Sequence, residues 1–118
     1  MVLEEDFEKY FVVNKNIKKN LEWMGCLCEA NENLYKDYKS IIHVDGTSRT
    51  QVIKDKDTIT YKVLKELKKK GSDLLVNTSF NISKDPVVFD LFDVFVNMKR
   101  LNIEFVIMDD GLYQAKNI

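Results

Sequence analysis

Proline occurs once in these 118 residues, at position 86, and glycine four times. So few chain-breaking residues exclude a collagen-like, linker-rich or low-complexity chain. Neither charge dominates: 18 basic side chains stand against 19 acidic ones, a formal net charge of −1. A protein that coats nucleic acid through its phosphates wants a marked basic excess. The balance therefore argues against nucleic acid as a partner, and no basic stripe with interleaved aromatics opposes it. No run approaches the roughly 18 apolar residues of a membrane span. The opening "MVLEEDFEKYF" is acidic and lacks the apolar core of a signal peptide. We expect a cytoplasmic protein with no membrane partner. Histidine occurs once, at His43, and cysteine twice, at Cys26 and Cys28. That is too few ligands for a structural zinc site, so no metal site is expected. The two cysteines are also too close in sequence for a comfortable disulfide. They read as reduced, buried thiols of an intracellular protein.

What is present is apolar material for a core: 45% of residues are hydrophobic. The length suits one compact domain over 1–118. Residues 3–11 read as a short helix with Leu3, Phe7, Tyr10 and Phe11 on one side. Residues 22–30 read as a strand, with Trp23 and Leu27 on one face and Met24, Cys26 and Cys28 on the other. Residues 31–40 are polar, a loop or one turn of helix. The 41–49 segment starts apolar and breaks at Asp45-Gly46, and 50–54 alternates like a short strand.

A helix follows, capped by Asp57 or Thr58. Val63, Leu64 and Leu67 form its inner face, and Gly71 stops it. Lys68, Lys69 and Lys70 in its last turn read as a solvated helix end, or as phosphate ligands. Residues 73–77, "DLLVN", are apolar enough for a central, doubly covered strand. Asp90 caps a helix reaching position 100, with Asp93 completing a variant of the capping box. That helix is apolar nearly all round, which predicts burial in the fold or against another subunit. Residues 103–108 read as a strand, Asp109-Asp110-Gly111 as a solvated turn, and 112–114 as the start of a last pairing. The alternation of helix and strand in the second half predicts an α/β fold: a mixed sheet with a parallel core and helices packed on it.

Two polar turns interrupt these elements. "NTSFN" (77–81) follows the most apolar strand, where open α/β sheets place their ligands. Hydroxyls, amides and exposed backbone N–H groups there can hold anionic oxygens. Such residues also simply bond their own backbone in turns. "HVDGTSR" (43–49) carries Arg49, whose guanidinium is a bidentate partner for phosphate or carboxylate. The expectation is that these two turns meet and form an anion pocket.

"HVDGTSRTQ" (43–51) and "VNTSFN" (76–81), with Asp85-Pro86 shortly after, resemble the C-terminal domain of the NodU/cephalosporin-type carbamoyltransferases. "YKVLKELKKKG" (61–71), "FVIMDDGLY" (105–113) and the opening "VLEEDFEKYF" (2–11) fit the same resemblance, which thus covers essentially the whole chain. It implies a YrdC-like fold that uses ATP and carbamoyl phosphate to form carbamoyl-adenylate. In that family an ASKHA-like N-terminal domain then transfers the carbamoyl group to a hydroxyl of a small molecule. Carried over by position, Arg49 would contact a phosphate of either substrate. Asn77, Thr78, Ser79 and Asn81 would hydrogen-bond phosphate or carbamoyl oxygens. His43 and Asp45 belong to the first motif, as ligand contacts or as shapers of the turn. No catalytic residue is singled out. Mg²⁺ is expected beside reacting ATP phosphates, without a protein ligand that the sequence names.

The sequence also departs from the family pattern. After "NTSFN" the family continues with an Arg-Gly-Glu-Pro-like run, whereas here Ser83, Lys84, Asp85 and Pro86 follow. A Lys84–phosphate contact is the carry-over of the one surviving cation. The family's basic segment that would precede Val2, and its transferase domain, are not in these residues. Two readings follow. One is the adenylate-forming part of a carbamoyltransferase, working with a separate transferase domain. The alternative is a non-catalytic remnant that binds nucleotide or protein, or self-associates.

Overall fold

In a computed structural model of the chain, residues 1–12 and 18–116 are described, the side chains of Lys18 and Lys19 excepted. The fold is mixed α/β, as the sequence predicts. It divides into two compact units, Met1–Asn77 and Thr78–Ile118.

The first unit opens with strand β1 (Val2–Leu3), a 3-10 turn and helix α1 (Phe7–Tyr10). Leu3, Phe7, Tyr10 and Phe11 are all buried, as their spacing predicts. A 3-10 stretch over Lys18–Trp23 leads to β2 (Leu27–Glu29), then α2 (Glu32–Asp37), β3 (Thr47–Arg49), β4 (Val52–Ile53) and α3 (Ile59–Lys69). β1 pairs in parallel with β4, Val2 opposite Val52, and β2 pairs antiparallel with β3. The core gathers Val2, Phe7, Tyr10, Phe11, Leu21, Cys28, Leu34, Val52 and Leu74. The Phe7 and Phe11 rings stack at 5.4 Å, and Tyr10 meets Tyr38 edge-on at 5.3 Å.

Local chemistry explains most of these boundaries. Asn31 starts α2: its side-chain oxygen accepts from the N–H groups of Asn33 (3.0 Å) and Leu34 (3.3 Å). Its amide nitrogen donates to the Lys9 carbonyl at 2.9 Å, and its backbone N–H to the Tyr10 carbonyl at 3.0 Å. One residue thus caps α2 and ties it to the end of α1. Replacing Asn31 by Ala removes the cap and the tether, an expected loss of about 1–2 kcal/mol in a urea melt. Thr58 caps α3 by accepting from the Tyr61 N–H at 3.2 Å. Gly71, at φ +89°, stops it in the left-handed region. Lys68 is neither a free solvated end nor an open phosphate ligand. Its ammonium lies 2.6 Å from Asp6 Oδ1 and 3.4 Å from Glu5 Oε1.

Asp73 locks the end of the unit. Its carboxylate accepts from Lys9 Nζ and from the Tyr10 hydroxyl, each at 2.6 Å, and its N–H donates to the Tyr38 hydroxyl at 3.0 Å. The Lys9 ammonium, then the Tyr10 hydroxyl, hold the Asp73 carboxyl below its ordinary range. Burial, reinforced by the Asp73 carboxylate, pushes the Tyr10 phenol up to about 12. A carboxyl whose folded pKa is depressed stabilises the fold above its unfolded pKa, about 3.9, and loses that contribution as pH falls through the folded value. Acid titration of stability should therefore show a step below about pH 4 that Asp73→Asn flattens.

Two expectations are corrected here. Segment 73–77 is not a central strand. It makes a single antiparallel bridge, Leu74 to Val2, and Val76 is 65% exposed. β1 is two residues long and already pairs with β4, so it offers no ladder long enough to hold five residues. The parallel core predicted for the second half is also absent. The parallel pair is β1–β4, and the described strands pair only in twos.

The second unit holds the 78–90 loop, helix α4 (Leu91–Arg100) and strands β5 (Phe105–Met108) and β6 (Gly111–Gln114). Asp90 caps α4 by accepting from the Asp93 N–H at 2.9 Å, and Asp93 accepts from the Phe89 N–H at 3.1 Å. Asn102, at φ +54°, ends the helix in the place usually given to glycine. β5 and β6 form a hairpin around Asp109-Asp110, so their antiparallel pairing needs no crossover. Tyr113 meets Phe95 edge-on at 6.2 Å, setting the hairpin against α4. Within the chain α4 is only partly buried: Met98 and Asn97 are covered, but Leu91 is 60% and Phe92 74% exposed, which leaves cover by another subunit as the remaining form of the expectation.

Candidate anion-binding site

The antiparallel β2–β3 pair sets the site. Leu27 lies opposite Arg49, Cys28 opposite Ser48 and Glu29 opposite Thr47. Strand alternation sends neighbouring residues to opposite faces. Ser48 is buried, its hydroxyl donating to the Ile41 carbonyl at 3.0 Å, and Arg49 is exposed. Cys28 is buried beside it, and burial pushes its thiol up. Both cysteines are free thiols.

Arg49 lines a cavity of about 590 Å³ in the first unit. His43 and Asn77 line it too, with Ser48, Thr50 and Gln51. Phe11, Met24, Ile41, Ile42, Leu75 and Val76 supply apolar wall. The structure thus brings together Arg49 from the first predicted turn and Asn77 from the start of the second. Among the described residues no carboxylate pairs with Arg49. The Asn77 amide nitrogen donates to the Met24 sulfur at 3.2 Å.

The turn before β3 is tightly bonded. The Asp45 carboxylate accepts from the Thr47 hydroxyl at 2.7 Å and the Thr47 N–H at 3.0 Å. Those two donors, the hydroxyl first, hold the Asp45 carboxyl below the usual range. His43 Nδ1 lies 3.1 Å from the Thr47 hydroxyl oxygen, and the His43 N–H donates to the Thr47 carbonyl at 2.7 Å. Gly46 completes the turn at φ +81°, and a Cβ there would sit 2.8 Å from the Tyr35 hydroxyl. Asp45 therefore shapes the turn that presents His43 and Arg49.

Thr78, Ser79, Asn81 and Lys84 belong to the second unit. The Ser79 hydroxyl donates to Asn81 Oδ1, and the Asn81 amide donates to the Asp85 carbonyl at 2.7 Å. Asp85 pairs with Arg100 at 2.7 Å. These are bonds of a self-supporting turn. Phe80 (φ +54°) and Lys84 (φ +78°) hold the left-handed backbone on either side.

Sequence reasoning missed Thr47, Ser48, Thr50, Gln51 and Met24. The first four were legible as the remainder of the "GTSRTQ" run. Met24 had no signal, because its φ of +56° takes it out of the predicted strand. Among the described residues no three His, Cys, Asp or Glu side chains gather to hold a metal. Among the described residues no helix is long and apolar enough to cross a membrane.

Comparisons with known proteins bear on the family. Residues 1–115 match the family described as "Carbamoyltransferase C-terminus". An uncharacterized protein of Methanocaldococcus jannaschii is 29% identical over 98% of this chain and 19% of its own length. Nodulation protein NolO of Bradyrhizobium diazoefficiens is 29% identical over 97% of this chain and 21% of its own length. Nodulation protein NolNO of Sinorhizobium fredii is 25% identical over 98% and 17%. The chain thus spans about a fifth of the length of these relatives. With residues 1–115 of its 118 matched by the family, this chain belongs to the carbamoyltransferase C-terminus family.

Proposed function

We propose that the first-unit cavity binds carbamoyl phosphate and ATP for carbamoyl-adenylate formation, ahead of carbamoyl transfer to a small-molecule hydroxyl by a separate transferase domain. The observation that carries this reading is the Arg49 guanidinium, without a carboxylate partner among the described residues, on a cavity wall shared with His43 and Asn77. A cation left without a carboxylate is available to an anionic ligand, and its planar fork matches phosphate oxygens. The apolar residues of the lining suit an uncharged ring or carbonyl. The chemistry balances as follows. Water releases inorganic phosphate and carbamate from carbamoyl phosphate. A carbamate oxygen then displaces pyrophosphate at the ATP α-phosphorus. Fixed donors offset the charge as it moves. Asn77 belongs with Arg49 in this role. Thr78, Ser79, Asn81 and Lys84 are proposed as further oxygen and phosphate contacts by family position.

The test is exchange of labelled pyrophosphate into ATP with carbamoyl phosphate present. Exchange above a no-protein control supports the reading. A second reading has its own observation, the uncovered apolar side chains of α4, with Phe92 74% and Leu91 60% exposed. It makes the chain a non-catalytic nucleotide- or protein-binding module. No exchange, together with self-association in analytical ultracentrifugation, would favour it.

A further inference from the structure

The bonds of the 43–47 turn decide which nitrogen of His43 carries the proton. The single hydroxyl hydrogen of Thr47 has two neighbours, Asp45 Oδ1 at 2.7 Å and His43 Nδ1 at 3.1 Å. An ionised carboxylate can only accept, so that hydrogen goes to Asp45. The Thr47 oxygen is left as an acceptor, and Nδ1 must donate to it. Neutral His43 is thereby held as the Nδ1–H tautomer, and Nε2 keeps a bare lone pair. His43 lines the same cavity as Arg49 and Asn77. Arg49 can only donate, and Asn77 gives one of its two amide hydrogens to Met24 and keeps the other as a donor. The imidazole thus adds a side-chain acceptor to a cavity that also holds a cation.

We propose that Asp45 and Thr47 are positioning residues that make His43 Nε2 an acceptor for a ligand N–H. The cavity then selects an acyl phosphate whose carbonyl carbon bears an amino group over one bearing a methyl group. This rests on the cavity being a carbamoyl phosphate site. Arg49 supplies donors to the phosphate, and Nε2 takes an amino hydrogen. A methyl group in that place leaves the lone pair without a donor, and a site built to hydrogen-bond an N–H rejects the analogue that lacks it.

Because His43 is the only histidine, ¹⁵N NMR of the full chain reports one imidazole, recorded where free imidazole is neutral. The expected wild-type signal is Nδ1–H. Thr47→Val should shift it towards Nε2–H, and Thr47→Ser should restore it. Calorimetry with carbamoyl phosphate and acetyl phosphate should show the wild type preferring the former by about fivefold, the share of one ordinary hydrogen bond. Thr47→Val should lose that preference while still binding both, and Thr47→Ser should keep it. A wild-type Nε2–H tautomer overturns the inference whatever binds and needs no variant to fold. Equal affinity for the two phosphates overturns it as well. If the tautomer is Nδ1–H and neither phosphate binds, the cavity assignment itself has failed and the inference falls with it.

Discussion

Arg49→Ala should weaken the binding of ATP or carbamoyl phosphate by about tenfold or more, read by calorimetry. A charge-assisted hydrogen bond is worth about 1.5–3 kcal/mol, and each 1.4 kcal/mol is a factor of about ten in affinity. The same substitution should leave stability nearly unchanged, within about 0.5 kcal/mol, because an exposed side chain is being truncated and no carboxylate among the described residues loses a partner. That separation makes the result specific. Arg49→Lys keeps the charge and loses the planar fork, so its affinity should fall between the two. An Arg49→Ala protein that binds nucleotide as tightly as the wild type would show that the guanidinium does not face the ligand.

Leu34→Ala should cost about 3 kcal/mol of stability, within the 2–5 kcal/mol typical of removing a buried leucine side chain. Leu34 is fully buried, on the inner face of α2 among Phe7, Tyr10 and Leu21 in the core. The neighbouring α2–α1 tether through Asn31 limits how far the site can collapse. For a domain of this size the loss lowers the melting temperature by roughly 10–20 °C. Thermal denaturation followed by circular dichroism measures it. A shift of less than about 3 °C would show that the α2 face is not packed as described.

The two experiments address different links. Leu34 lies on the path from sequence to packing, and Arg49 on the path from geometry to function. In the first, apolar atoms leave a dry core. In the second, a charge is removed from a wall that meets solvent or ligand.

Much of the fold was written in local chemistry. The Thr58 and Asp90 caps, the Gly71 stop, the Asp109-Asp110 turn and the inward stripe of Leu3, Phe7, Tyr10 and Phe11 each depend on residues a few positions apart. Helix α2 was only half legible, because Asn31 caps it while bonding carbonyls over twenty residues away. Segment 73–77 was misjudged because apolarity reports burial and not pairing. Leu74 is buried, but its one bridge partner, β1, is too short to extend a ladder. For the site, Arg49 could be picked out by residue type and Asn77 by its place after an apolar run. Their common cavity could not.

By itself the sequence determined the mixed α/β character, the family and the identity of the polar turns. Capping, turn formation and alternation act over a few residues, and a motif is a property of order along the chain. The tertiary structure decided that positions 43, 49 and 77 share one hollow and that Lys68 is held by Asp6. It also decided that Asp73 is claimed by Lys9 and Tyr10. Each of these joins residues distant in sequence, and such pairs form only where packing of the whole unit brings their backbones within a side chain's reach.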